Sequence, residues 1–293
     1  MGEMKDINTF SSWDIANSEI NLNNGYPYLG WQDDNETYTW FIFDEPLTEI
    51  WTIDDLYDIR NYLSGTYLLM KDLDFQNNDD YVDWMNSKEE NITGLGWLSI
   101  GGSSNKFTGS FDGQGYTISN LYINRSIAGS AGLFGSVNGS GEVLNLGVIN
   151  ADIICSHNSG GLVGRNEGNI QNCYFSGSID GDSSMAGNLG SFIGGLVGWN
   201  KGTVKDCYAT GGVQGHESIG GLIGENDQGI VENSYATGEI TGNYNVGGLV
   251  GRNYYGIVNN SFAMGNVSGS SGVGGLVGNN YQSLVENSYA TGN

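Results

Sequence analysis

Five times between residues 160 and 280 the chain spells nearly the same seven letters: GGLVGRN at 160–166, GGLVGWN at 194–200, GGLIGEN at 220–226, GGLVGRN at 247–253 and GGLVGNN at 274–280. The second glycine of each phrase, at Gly161, Gly195, Gly221, Gly248 and Gly275, sets intervals of 34, 26, 27 and 27 residues. A weaker copy, AGLFG at 131–135, adds a marker at Gly132. The text between the phrases recurs too: IQNCYFSGSI at 170–179, VKDCYATGGV at 204–213, VENSYATGEI at 231–240, VNNSFAMGNV at 258–267 and VENSYATGN at 285–293. Self-similarity at a fixed period of this size marks a solenoid or array, in which each unit packs on its neighbours.

Each period holds three short apolar-alternating stretches parted by Gly, Asn and Ser, and none has the length or 3.6-residue spacing of a helix. Helix-pair and leucine-rich repeats need a helical segment or a Leu ladder, and propeller blades need about 40 residues. One coil of a parallel β-helix fits. The expected fold is therefore all-β.

In such a solenoid each residue lies about 4.8 Å from its counterpart in the next coil. The motif glycines, including Gly164, Gly198, Gly224, Gly251 and Gly278, are expected to supply positive φ and to remove a colliding Cβ at a tight corner. Leu162, Leu196, Leu222, Leu249 and Leu276 should form one internal file. Asn166, Asn200, Asn226, Asn253 and Asn280 should form an amide ladder, donating and accepting along the stack. Tyr174, Tyr208, Tyr235, Phe262 and Tyr289 align in an aromatic column with two readings. Facing inward it is core, the reading favoured here; facing outward it is a stripe able to stack on sugars. Cys173 and Cys207 share a column with Ser234, Ser261 and Ser288, so small buried filler is favoured over a disulfide.

The phrase G-L-V/I/F-G, followed by N-x-x-x-(I/V)-x-N-(C/S)-Y-A-T-G, resembles the GLUG-motif repeats of bacterial and archaeal surface proteins, including large adhesins and the non-catalytic part of immunoglobulin A1 proteases. FTGSFDGQGYTISNLYI at 107–123 looks like the coil that opens such repeats. The resemblance covers residues from about 95 to the end. It implies a right-handed parallel β-helix of pectin-lyase-like shape, with no particular chemistry attached.

Three regions are expected. Residues 46–94 form an N-terminal cap, with a helix over 53–63 started by Thr52 or Asp54, a strand over 66–71 and an acidic loop at 76–94; residues 95–293 form the β-helix. Residues 1–45 are irregular, and 1–31 resemble the segment that ends a GLUG module. That order predicts an excerpt from a longer tandem array, or head-to-tail self-association in which residues 1–31 complete the last coil of a neighbour.

Charge and composition exclude more than they select. Glycine is 49 of 293 residues, more than twice the usual share of about 7%, yet without a collagen period. The net charge of −23 opposes nucleic acid and anionic lipid. No apolar run is long enough to cross a bilayer, so no membrane insertion is expected within this chain. HExxH, Cys/His zinc spacing and a Walker loop are all missing, so no cofactor is expected.

Several constellations remain. Asp72, Asp74, Asn77, Asn78, Asp79, Asp80 and Asp83 could ligate calcium, but a solvated acidic loop is the simpler reading. Asp180 and Asp182, in a projecting insertion at 180–192, would be the carboxylate pair of a glycosidase, though two acids in a Gly/Ser loop usually just face water. The coil bases Arg165, Lys201, Lys205 and Arg252 look scattered, with no acids beside them, which argues against a lyase. His157 and His216 read as surface histidines. The sequence thus predicts a non-enzymatic, extracellular or cell-surface module of adhesin type, a rigid stalk or interaction surface whose partner would be a glycan or protein of a host or cell surface. The alternatives are a self-assembling envelope or sheath component and a carbohydrate-binding or carbohydrate-cleaving β-helix.

Overall fold

A computed structural model describes residues 47–76, 95–125, 129–181 and 190–293. The described residues belong to one compact unit, Leu47–Asn293. Residues 1–45, the loop acids Asp79, Asp80 and Asp83, and Asp182 lie outside the described residues.

This unit is a β-solenoid in which every strand of the repeats pairs in parallel with its counterpart one coil away. One coil shows the pattern, with strands Glu217–Gly220, Ile223–Asp227, Ile230–Glu232, Tyr235–Ala236 and Ile240–Thr241. Each registers on the equivalent residues 27 positions later, as in Ile219↔Val246, Ile223↔Val250, Val231↔Val258, Tyr235↔Phe262 and Ile240↔Val267. Stacking produces sheets of nine, five, six and twelve strands. At about 4.8 Å per strand, the nine-stranded sheet spans about 40 Å.

The three coils that start at Ser191, Glu217 and Tyr244 have five strands each, where three stretches were expected; in the coil before them the last two are fused as Tyr174–Gly181. The GGLVG stretch breaks at Gly221–Leu222, and the VENSYAT stretch breaks at Asn233–Ser234. The second break has a local cause. Asn145, Asn172, Asp206, Asn233, Asn260 and Asn287 all adopt φ between 49° and 54°, the left-handed region that Asn and Asp tolerate best among residues with a Cβ.

The motif glycines keep φ out of that region, which corrects half of the sequence argument. Their role is steric. A Cβ on Gly221 would meet the Ala236 Cβ at 2.7 Å, and one on Gly224 would strike the backbone of Phe192 and Ile193. Two sheets here approach to backbone contact, which only glycine allows.

The Leu file is continuous. Leu162, Leu196, Leu222 and Leu249 are fully buried, and Leu276 packs partly buried against the same core. The Leu222 N–H donates to Leu249 O at 2.9 Å, and Leu249 N–H to Leu276 O at 2.9 Å. Truncating one such residue to Ala would cost about 2–5 kcal/mol.

The N-terminal end is closed by α1 (Ile53–Asp58), which continues as a 3-10 turn over Ile59–Asn61 and stops short of the expected residue 63. Thr52 caps it: its Oγ1 accepts from Asp55 N–H, while the Asp55 carboxylate accepts from Thr52 N–H. Ile53, Leu56 and Ile59 are buried. Behind them Trp97 is fully buried, donates from Nε1 to Leu133 O at 3.1 Å, and meets Phe75 edge-on at 5.4 Å. The following strand runs over Thr66–Leu69, two residues shorter than expected.

Candidate functional surface

Inside the coils, Asn166 donates from Nδ2 to Asn200 Oδ1 at 2.8 Å, Asn200 to Asn226 at 2.8 Å, Asn226 to Asn253 at 2.8 Å and Asn253 to Asn280 at 2.9 Å. The first four are fully buried. Each amide also donates to a carbonyl of its own turn, such as Gly202 O for Asn200. The column Cys173, Cys207, Ser234, Ser261, Ser288 works in a related way, each side chain after the first accepting a backbone N–H from the coil before. The two thiols are unbridged, and burial, with Cys207 alongside, raises Cys173 well above the usual thiol range.

The aromatic column lies outside. Its neighbours Cys207 and Ala209 point into the core, so alternation turns Tyr208 outward, and the favoured core reading is overturned. The rings stack nearly parallel at 4.9, 4.9, 4.8 and 5.3 Å from Tyr174 to Tyr289. Tyr208, Tyr235 and Phe262 each have a ring on both faces, so the middle of the column offers edges, not open faces. Desolvation within the stack, with Tyr174 and Tyr235 on either side, raises the Tyr208 phenol above its ordinary range.

Charges do pair across coils, contrary to the scatter expected from the sequence. Lys205 meets Glu232 at 3.1 Å and Arg252 meets Glu225 at 3.2 Å. The register explains both: Lys205↔Glu232 and Glu225↔Arg252 are Cα partners. In the same outward row the Arg165 guanidinium sits 4.0 Å over the Trp199 ring, and Trp199 is the neighbour of Glu225. Glu225 is 6% exposed; burial pushes its carboxyl up, and Arg252 opposes that shift.

At the next corner Tyr254 stacks on Tyr281 at 5.3 Å, and the Arg252 guanidinium lies 4.6 Å over the Tyr254 ring. Tyr255 stands across both tyrosines, at 84° and 82°. It escaped the sequence reading because the Tyr254–Tyr255 pair falls in the one-residue extension of the corner, outside the shared phrase.

Asp72, Asp74 and His216 have structural partners. Asp72 accepts from the Thr117 N–H and hydroxyl at 2.8 and 3.0 Å, and Asp74 from Gln76 N–H and the Asn120 amide at 2.9 and 2.6 Å. Asp180 belongs to the strand Tyr174–Gly181, not to a projecting loop. His216 packs edge-on against Tyr244 at 5.5 Å.

The family model of the GLUG motif matches residues 156–180, 186–214, 215–241, 242–268 and 269–293. The chain carries five GLUG repeats. Each matched segment supplies one set of rungs to the stack, and the same sheets continue upstream through Ser110–Asp112 and Glu142–Leu144, before the first match.

A solved structure from Bacteroides ovatus, named as an immunoglobulin A1 protease, has a similar fold, with a TM-score of 0.62 and 23% identity over 81% of this chain and 74% of that one. Halomucin of Haloquadratum walsbyi is 42% identical over 84 residues, which is 29% of this chain and 1% of halomucin. A Gly-rich membrane protein of Evansella cellulosilytica is 36% identical over 114 residues, 38% of this chain and 12% of that protein. The chain spans only a small part of the curated relatives it matches. Among the described residues, no helix is long and apolar enough to cross a membrane.

Proposed function

We propose that this chain is a non-catalytic, extracellular surface module of adhesin type, a stiff β-helical rod serving as stalk and interaction surface. The observation that carries the reading is the continuity of its ladders. From Asn166 to Asn280 every coil is tied to the next by the same amide contact. Equal coils stacked on one core add stability nearly unit by unit, and such a stack resists bending. A spacer needs that property. The names of its relatives, halomucin and a Gly-rich membrane protein, favour the outside of the cell; a charge of −23 keeps the rod soluble.

Antibodies raised against the coils test this reading on cells that produce the protein. Intact cells should be labelled before lysis. Labelling only after lysis would overturn the surface location. Pulling single molecules end to end should give a series of similar small force steps from the coils, whereas one low-force extension would overturn the stiff rod.

A further inference from the structure

We propose that the corner around Tyr255 binds neutral polysaccharide; this deepens the interaction-surface part of the function proposed above. Both faces of Tyr254 are occupied. Tyr281 covers one from the next coil, and Arg252, drawn toward the previous coil by Glu225, covers the other. Tyr255 therefore meets the rim of Tyr254, at 4.5 Å and 84°, with one of its own faces. Among the described residues no ring stacks on Tyr255, which is 46% exposed. Unlike Tyr208, Tyr235 and Phe262 inside the column, this ring is left to offer a flat apolar face to a ligand.

The platform continues sideways. Ile230 and Ile257, in register on the adjoining strands, are 40% and 37% exposed, so the apolar strip crosses inner coils of the stack. An exposed aromatic face running into an aliphatic strip suits the C–H faces of sugar rings.

The rim selects the ligand class. Gln228 and Gln282 flank Tyr255 at equivalent places in the coils before and after, both exposed and uncharged, able to donate to and accept from hydroxyls. Beyond the strip stand Glu232, Asn259 and Glu286. Arg252 is already engaged by Glu225 and Tyr254, so among the described residues its own row turns no free cation to the patch. With −23 overall, a uronate or sulfated chain is repelled. The three tyrosines touch one another, so they form no cage for an organic cation.

The test is native affinity electrophoresis of the full chain in gels containing hydroxyethyl cellulose, galactomannan or glucomannan, with polygalacturonate as the anionic control. Wild type and Tyr255→Phe should be retarded by at least one neutral polymer and not by polygalacturonate. Tyr255→Ala, with an unchanged melting temperature, should bind at least tenfold more weakly. Lack of retardation by every neutral polymer, equal retardation of Tyr255→Ala, or equal retardation by polygalacturonate would each overturn the proposal. So would a sedimenting dimer that Tyr255→Ala dissociates, which would assign the patch to a second copy. None of these results bears on surface labelling, so the stalk reading stands or falls separately.

Discussion

Asn200 donates its side-chain amide to Asn226 at 2.8 Å, one coil further along the axis. At the left-handed corner the direction reverses: Asn145 donates back to Asp112 at 2.9 Å, Asn172 back to Asn145 at 3.0 Å and Asn233 back to Asp206 at 3.0 Å. One ladder is buried and the other is at the surface, and their energetic weight should differ accordingly.

Replacing Asn226 by Ala removes the acceptor of Asn200 and the donor to Asn253 inside the core. The expected loss is about 3 kcal/mol, because buried polar groups lose their partners. Asn280→Ala, at an exposed position, should cost less than about 1 kcal/mol. Urea denaturation of both variants checks the ratio.

Asp206 interrupts the surface ladder because a carboxylate has no proton to pass to Asn172. Asp206→Asn keeps the acceptor for Asn233 and adds a donor, at a φ of 54° that Asn tolerates equally well. A gain of about 0.5–1.5 kcal/mol is expected in thermal or chemical unfolding. A loss would show that the ladder contributes nothing at this corner.

Gly224→Ala forces a Cβ into the backbone of Phe192 and Ile193, and to 2.6 Å from Gly198 O. Backbone atoms cannot step aside as a side chain can, so roughly 3 kcal/mol or more should be lost. Gly102→Ala, where a Cβ meets nothing within 4 Å, should leave the melting temperature nearly unchanged.

The Glu225–Arg252 pair links stability to pH. Glu225 is raised by burial, so the folded chain holds this proton more tightly than the unfolded one. Its contribution is therefore fully present below the ordinary carboxylate range and is lost as pH rises through the folded value. Glu225→Gln should match or exceed wild type at pH 7, and the difference should shrink as the pH falls into the carboxylate range. Arg252→Ala, which leaves a buried carboxylate unpaired, should lose about 2 kcal/mol at pH 7 and recover part of it in acid. Melting curves across pH for the three proteins provide the check.

The sequence by itself determined the stacking axis and its register. A phrase repeated at 26 and 27 residues puts Leu196 over Leu222 and Asn200 over Asn226, because identical units can bury their apolar faces only on one another. It also placed the start of the helix at Thr52 or Asp54, of which Thr52 is the cap. Only the tertiary structure decided which way the columns face. Tyr208 and Ala209 alternate in any strand, and the sequence does not say which side is the core until Gly195 leaves room for the Ala209 methyl. The pairing of Arg252 with Glu225 and the turning of Tyr255 across Tyr254 depend likewise on contacts between coils. Register brings those residues together in space, while along the chain they sit in differing letters that a search for repeats passes over.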